Sequence, residues 1–418
     1  MKRILMLALT ASFVSIVMAE ETTVLYLMRN TSKTDRTDQP VVIDLKSFGR
    51  VASAIVQKDG KEIPCQLDDL DQDGENDELC FLVDSKGHTE TTYQVTLCDE
   101  GVPRKYPARV YTEMLIRNDK VKEKNKHDNY IESITARGDC ANSYNIQHHH
   151  GVTFESELNG IRIYFDKRQT LDLYGKFQKR LEIQATQFYT SAEQKAAGYG
   201  DDVLWVGNTF GLGAFRGWDG QQPTMIDPVR SRTQRIISYG PLRTIVEVVD
   251  KGWQPYTDKS AVDMTIRYTQ YAGHRDTDVD VFFNKEVADY LFSTGIINVK
   301  GSEEYSDGHG LRACWGTDWP SSDTINFKRE TVGLGIYIPI KYVRSEEKAN
   351  KDNYAFVIGT SDEESTVNDS TDKHHLSYKV VYCSDNETFG YHSAQEWFDY
   401  LRRWKKEVDT PLIVVRHD

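Results

Sequence analysis

Apolar and polar positions alternate with a period of two through much of this chain, most plainly in Thr91-Thr92-Tyr93-Gln94-Val95-Thr96-Leu97. Alternate side chains of an extended strand point to opposite faces, so this pattern predicts strands with one face buried. The runs 41–45, 51–56, 62–67 and 78–83 are short and apolar, and Lys58-Asp59-Gly60-Lys61 is a turn between two of them. Together they predict a small β-sandwich over residues 20–105. Gly101-Val102-Pro103-Arg104-Lys105-Tyr106-Pro107 carries the glycine and proline of a linker. Beyond it, 158–165, 169–174, 235–249, 261–271, 278–283, 331–340 and 354–358 again read as strands. Helical spacing is clear only over 393–407, where Ser393 and Glu396 form a capping-box pattern ahead of Trp397, Phe398, Leu401 and Trp404. A shorter helix is expected at 191–197. The expected fold class is all-β: a small amino-terminal β-sandwich followed, over 106–418, by a large two-sheet β-sandwich of the supersandwich kind with few helices.

The chain opens with Lys2-Arg3 and an apolar run closing on Val17-Met18-Ala19. This is the pattern of a secretory signal peptide, residues 1–19, cleaved after Ala19. The run is too short for a membrane span, and no later segment reaches that length. A periplasmic or secreted protein without a transmembrane segment is expected. Cleavage takes the formal charge from -13 to -15. An acidic surface with no evident basic run repels phosphates, so nucleic acid is not an expected partner. Of the six cysteines, Cys65, Cys80 and Cys98 have the spacing of neighbouring strands. An oxidising compartment permits bridges, and the sequence assigns no pairs. It also leaves the oligomeric state open.

Several segments carry candidate chemistry. In Asp69-Leu70-Asp71-Gln72-Asp73-Gly74, oxygen ligands alternate ahead of a glycine, as in a calcium loop. The position where a bidentate glutamate is expected holds Cys80, so a solvated acidic hairpin is the competing reading. His148-His149-His150-Gly151 places three of the eleven histidines in a row, with Glu155 and Glu157 close behind. Histidine titrates nearest neutral pH and is the commonest metal ligand. Zinc on His148 and His150, completed by Glu155 or His309, is one reading. The other is proton transfer by His149 or His150, with Glu155 or Glu157 orienting it. In that reading Arg162 or Arg235 clamps a substrate carboxylate, Tyr164 or Tyr174 is the acid, and Lys176 adds a cation. No cofactor is required by the sequence; a divalent cation, calcium or zinc, is the only class these segments suggest. The glycine-rich 208–220 lacks the context of a nucleotide site and offers Trp218 as a sugar platform, with a plain turn cluster as the alternative.

These residues resemble a known family. His148 to Gly151, Phe154-Glu155-Ser156-Glu157, Arg162 to Asp166, Asp172 to Lys176, Gly240 to Thr244, Gln66 to Asp71 and Asp77 to Leu79 are similar to a bacterial family of exported proteins of unknown function. Its members are encoded beside polysaccharide lyases and unsaturated-uronyl hydrolases in pectin- and ulvan-degradation clusters. The resemblance covers nearly the whole chain after Ala19. It implies a carbohydrate-active role, with some relatives acting as oligosaccharide dehydratases. The expected function is elimination of water or a sugar from an acidic, uronate-bearing oligosaccharide by removal of the C5 proton. A glycoside hydrolase on the same oligosaccharides and a non-catalytic glycan-binding protein are the alternatives.

Overall fold

A computed structural model describes residues 20–138, 143–325, 327–360 and 373–417. The expected signal peptide and Cys140 lie outside the described residues. The chain is all-β, built from antiparallel sheets with a few helices.

The first residues form a small sandwich. Glu21–Arg29, Glu90–Cys98, Ser53–Lys58 and Lys61–Ile63 belong to a five-stranded sheet, and Arg36–Asp44, Glu78–Ser85 and Cys65–Asp68 form a three-stranded one. The alternation in Glu90–Cys98 buries Tyr93, Val95 and Leu97 against Val24, Val56 and Phe81. The fifth strand of the larger sheet is Ile413–His417, which pairs with Leu25 to Arg29. The end of the chain thus returns to the sandwich that begins it, across the boundary expected at residue 105. Cys65 and Cys80 sit on neighbouring strands as reduced, buried thiols, and Cys98, Cys314 and Cys383 are also free.

The rest of the chain centres on a nine-stranded sheet, edged on one side by Ser133–Arg137 and on the other by Glu303–Ser306. Two five-stranded sheets form the facing layer. One contains Val110–Glu113, Gly151–Ser156, Gly160–Tyr164 and Leu171–Gly175; the other contains Phe292–Ile297 and Asn353–Ile358. Bridges from Leu171 to Gly211 and from Leu212 to Ile296 link them. One continuous apolar core runs between the layers, from Val152 and Phe154 to Tyr268, Phe292 and Val380.

Helix Ala394–Asp409 covers the outer face of the nine-stranded sheet with Trp397, Phe398, Leu401 and Trp404. Ser393 caps it by accepting from the Glu396 amide, while the Glu396 carboxylate accepts from the His392 amide. Ala192–Ala196 is a short helix with a complete capping box from Ser191 and Gln194.

The small sandwich is joined to the rest of the chain through polar groups. Gln66 bonds to Ser238, to the Arg243 carbonyl and to the Leu242 and Arg243 amides. The Arg243 guanidinium reaches Asp68 at 2.8 Å and Glu78 at 2.6 Å. The resembling segments 66–71, 77–79 and 240–244 therefore meet at one interface.

Candidate functional site

The histidine triplet lies in the turn between the short helix Ser143–Ile146 and strand Gly151–Ser156. His150 has φ 69°, a left-handed conformation that costs a non-glycine residue of order 1 kcal/mol or more. Gln187 and Phe188 nearby also have positive φ. Strain of this kind concentrates at functional sites. Gly151 is fixed by close approach: a Cβ there would lie 1.7 Å from the Ile163 carbonyl oxygen of the adjoining strand.

The three rings have separate surroundings. His148 and His150 line a cleft of about 360 Å³ together with Arg117, Lys122, Lys124, His127 and Tyr189. His148 stacks on His127 with ring centroids 3.8 Å apart, and the Tyr189 ring stands edge-on at 5.3 Å. The Nε2 of His148 is buried and has no hydrogen-bond partner. Burial, then the charges of His149 and His127, push the His148 imidazole down to about 3. His150 stacks on Tyr144 at 3.9 Å and bonds through Nδ1 to its carbonyl. Burial lowers it to about 4. Both rings are neutral near pH 7, with a lone pair available for a proton. His149 is sealed beneath them, its Nδ1 3.0 Å from the Gly151 carbonyl and its Nε2 3.1 Å from Glu113. It braces the turn and does not line the cleft.

Behind Tyr189 lies a buried ionic cluster. Arg162 donates from Nε and Nη2 to Asp172, at 3.0 and 2.6 Å, and from Nη2 to Asp202 at 3.0 Å. Tyr164 donates to the same Asp172 oxygen at 2.6 Å. Burial works against the Arg162 charge, but Tyr164, Asp172 and Asp202 hold it above the ordinary guanidinium value. Burial and the neighbouring Asp172 push Asp202 well up. Burial also raises the Tyr189 phenol while Arg162 opposes that shift, so Tyr189 keeps its proton at neutral pH.

The other expected site residues lie elsewhere or are engaged within the protein. Lys176 and Glu155 are fully buried and meet at 2.5 Å. Lys176 also donates to the Ser156 and Arg180 carbonyls, and Glu155 accepts from the Glu182 and Ile183 amides. The two are a brace between strands and leave no donor or acceptor for a sugar. Tyr174 is buried against Glu182 and the Gly200 carbonyl. Glu157 binds Arg109, which also holds Asp38 of the small sandwich. Arg235 shares Glu247 with Arg267 on the nine-stranded sheet. Trp218 is buried, so it offers no open platform. His309 is exposed in the hairpin at the far edge of that sheet.

In the acidic loop the carboxylates that converge are Asp69, Asp71 and Asp77, with ligand atoms within 4.8 Å of one another. Asp73 turns away and accepts from the Glu75 amide. This is the one group of three such ligands among the described residues. Among the described residues the histidine cleft gathers no third ligand for zinc. Asp69 already accepts from the Gln72, Asp73 and Gly74 amides, as an acidic hairpin does without an ion.

Residues 28–414 match a family described as Domain of unknown function (DUF4861). The chain belongs to this family. No curated protein matches it. Among solved structures, it is similar to an α-mannosidase from Enterococcus faecalis V583 at 9% identity and a TM-score of 0.48, covering 95% of this chain and 46% of that one. A protein of glycosyl hydrolase family 38 from Enterococcus faecalis gives 9% identity and a TM-score of 0.47, with 95% and 47% covered. The chain thus spans about half the length of these structures. No helix among the described residues of this DUF4861 protein is long and apolar enough to cross a membrane.

The cleft also recruits residues that no motif marked. Arg117, Lys122, Lys124 and His127 come from one stretch, 117–127, whose six basic groups (Arg117, Lys120, Lys122, Lys124, Lys126 and His127) outweigh Asp119 and Glu123. That local reversal of sign in an acidic chain was a readable signal, and it corrects the expectation that no basic run exists. Tyr189 carried no signal.

Proposed function

We propose that this protein is a carbohydrate-active enzyme that eliminates water or a sugar from a uronate-bearing oligosaccharide in the His148 cleft. The observation that carries the reading is the partnerless Nε2 of His148, a neutral imidazole in a cleft rimmed by cations and faced by a protonated phenol. The C5 proton of a uronate becomes removable when its carboxylate charge is neutralised. Lys122 and Lys124 supply that neutralisation, beside Arg117, which pairs with Asp119 at 2.9 Å. His148 takes the C5 proton, and Tyr189 gives a proton to the departing C4 oxygen, leaving a C4–C5 double bond. Arg162 and its carboxylate partners hold Tyr189 in place from behind. Hydrolysis calls for two carboxylates across the bond. Among the described residues lining the cleft, the one carboxylate is the exposed Asp119.

The test incubates the protein with uronate oligosaccharides from pectin and ulvan, following ultraviolet absorbance and product mass. Rising absorbance with loss of one water identifies a dehydratase, and rising absorbance with chain cleavage a lyase. Shortened products without absorbance would overturn elimination in favour of hydrolysis. Binding without any product would make the protein a glycan-binding module.

A further inference from the structure

A second cavity, of about 460 Å³, lies where the small sandwich, helix Ala394–Asp409 and the nine-stranded sheet come together. Its volume falls in the range of roughly 300–1,000 Å³ typical of small-molecule sites. Four buried donor atoms on its lining residues have no hydrogen-bond partner: Nε and Nη1 of Arg36, Nη1 of Arg275 and Nε1 of Trp404. These side chains are only 3%, 6% and 5% exposed. Arg275 is neutralised by Glu387 at 2.7 Å. Arg36 bonds only to the Thr410 carbonyl and hydroxyl, and no described carboxylate reaches ion-pair distance of it. Glu407 faces it across the cavity wall. The other lining carboxylates are engaged: Asp35 by Lys86, and Asp276 by His274 and Lys379.

A buried guanidinium without a bound counter-charge is costly, and unpaired buried donors are rare in folded proteins. All four orphan atoms are donors, so a matching ligand must present acceptors. The wall also carries aromatic rings. Tyr391 and Tyr400 stack at 4.8 Å, and the Arg275 guanidinium lies over Tyr391 at 5.6 Å. Aromatic faces pack well on the C–H face of a pyranose ring. We infer that this cavity beside the small sandwich is a second binding site, for a carboxylate-bearing saccharide, with the Nε and Nη1 donors of Arg36 taking carboxylate oxygens and Trp404, Tyr400 and Tyr391 as the sugar wall. The inference does not rest on the elimination chemistry proposed for the His148 cleft.

The experiment is calorimetric titration of the full chain carrying His148→Gln with digalacturonate, so that turnover cannot confuse the reading. A neutral galactose disaccharide and sodium acetate serve as comparison ligands. Saturable digalacturonate binding is expected, weakened at least tenfold by Arg36→Gln. The neutral disaccharide and acetate each bind at least tenfold more weakly than digalacturonate. Trp404→Phe keeps an aromatic ring while losing the donor, so it weakens binding and removes a ligand-dependent change in tryptophan emission. Thermal midpoints of both variants establish that they fold. Absence of saturable binding, or binding indifferent to both substitutions, overturns the inference and leaves the orphan donors to water. Equal affinity for acetate overturns its saccharide half.

Discussion

The imidazole of His148 lies flat on that of His127, 3.8 Å between centroids, while its own Nε2 stays without a partner. Two stacked rings cannot both carry charge in a buried cleft at modest cost, so the stack keeps His148 neutral and basic enough only for a proton made acidic by its surroundings. His148→Gln removes the lone pair and keeps the approximate volume. Turnover of uronate oligosaccharides is expected to fall by about 10²–10⁴ with the thermal midpoint nearly unchanged. A variant of full activity would remove His148 from the mechanism.

The same neutrality couples stability to pH. The folded His148 and His150 take up protons only near pH 3 and 4, whereas the unfolded chain does so near 6.5. Above 6.5 neither state is charged, and nothing is lost. As pH falls from about 6.5 towards 4, the unfolded state binds protons that the folded state refuses, so stability declines over that window. Burial is the main cause at both rings; His149 and His127 add to it at His148, and Arg162 and His149 at His150, where Asp172 opposes. Thermal midpoints between pH 8 and pH 4 should therefore drop, and His148→Gln with His150→Gln should flatten the drop.

Lys176 and Glu155 form a pair that is fully buried on both sides. Removing one partner strands a charge, so Lys176→Met alone should cost about 3–5 kcal/mol in denaturant unfolding. Lys176→Met combined with Glu155→Gln should recover a large part of that. If the two single losses simply add, the pair is not coupled as the contact implies.

Arg162 uses its fork to hold Asp172 and Asp202 at once, and it sits behind the cleft rather than in it. A lysine cannot reproduce that geometry. Arg162→Lys should lower kcat more than tenfold with little change in KM. It should also move the alkaline limb of the pH profile, because Arg162 bears on the Tyr189 phenol. A purely structural role would lower thermal stability and leave the limb in place.

The elements that announced themselves in sequence were those with one wet face. Glu90–Cys98 alternates because one side is solvated, and Ala394–Asp409 shows its stripe because it lies on the outside of a sheet. Strand Gly151–Ser156 is buried on both faces, so its polar residues could not be told from site residues by pattern. Glu155 and Lys176 looked like chemistry for that reason, and three-dimensional pairing alone shows them engaged with each other. The triplet drew attention to the right turn of the chain. Which ring faces the cleft depended on the turn geometry at His150 and on partners such as His127 and Tyr189, both distant in sequence or unmarked. The closing strand Ile413–His417 was missed because its five residues carry no alternation and all of them are exposed.

That closing strand gives the molecule an order of assembly. The sheet begun by Glu21–Arg29 acquires its outer neighbour only from residues made some 390 positions later, as the Leu25–His417 pairing requires. During synthesis the first sandwich therefore waits with an open edge while the whole large domain emerges. Pairings this distant slow folding and leave strand edges exposed meanwhile. Until Ile413–His417 is made, the outer edge of Glu21–Arg29 offers its unpaired backbone groups to any extended chain, a second nascent copy included.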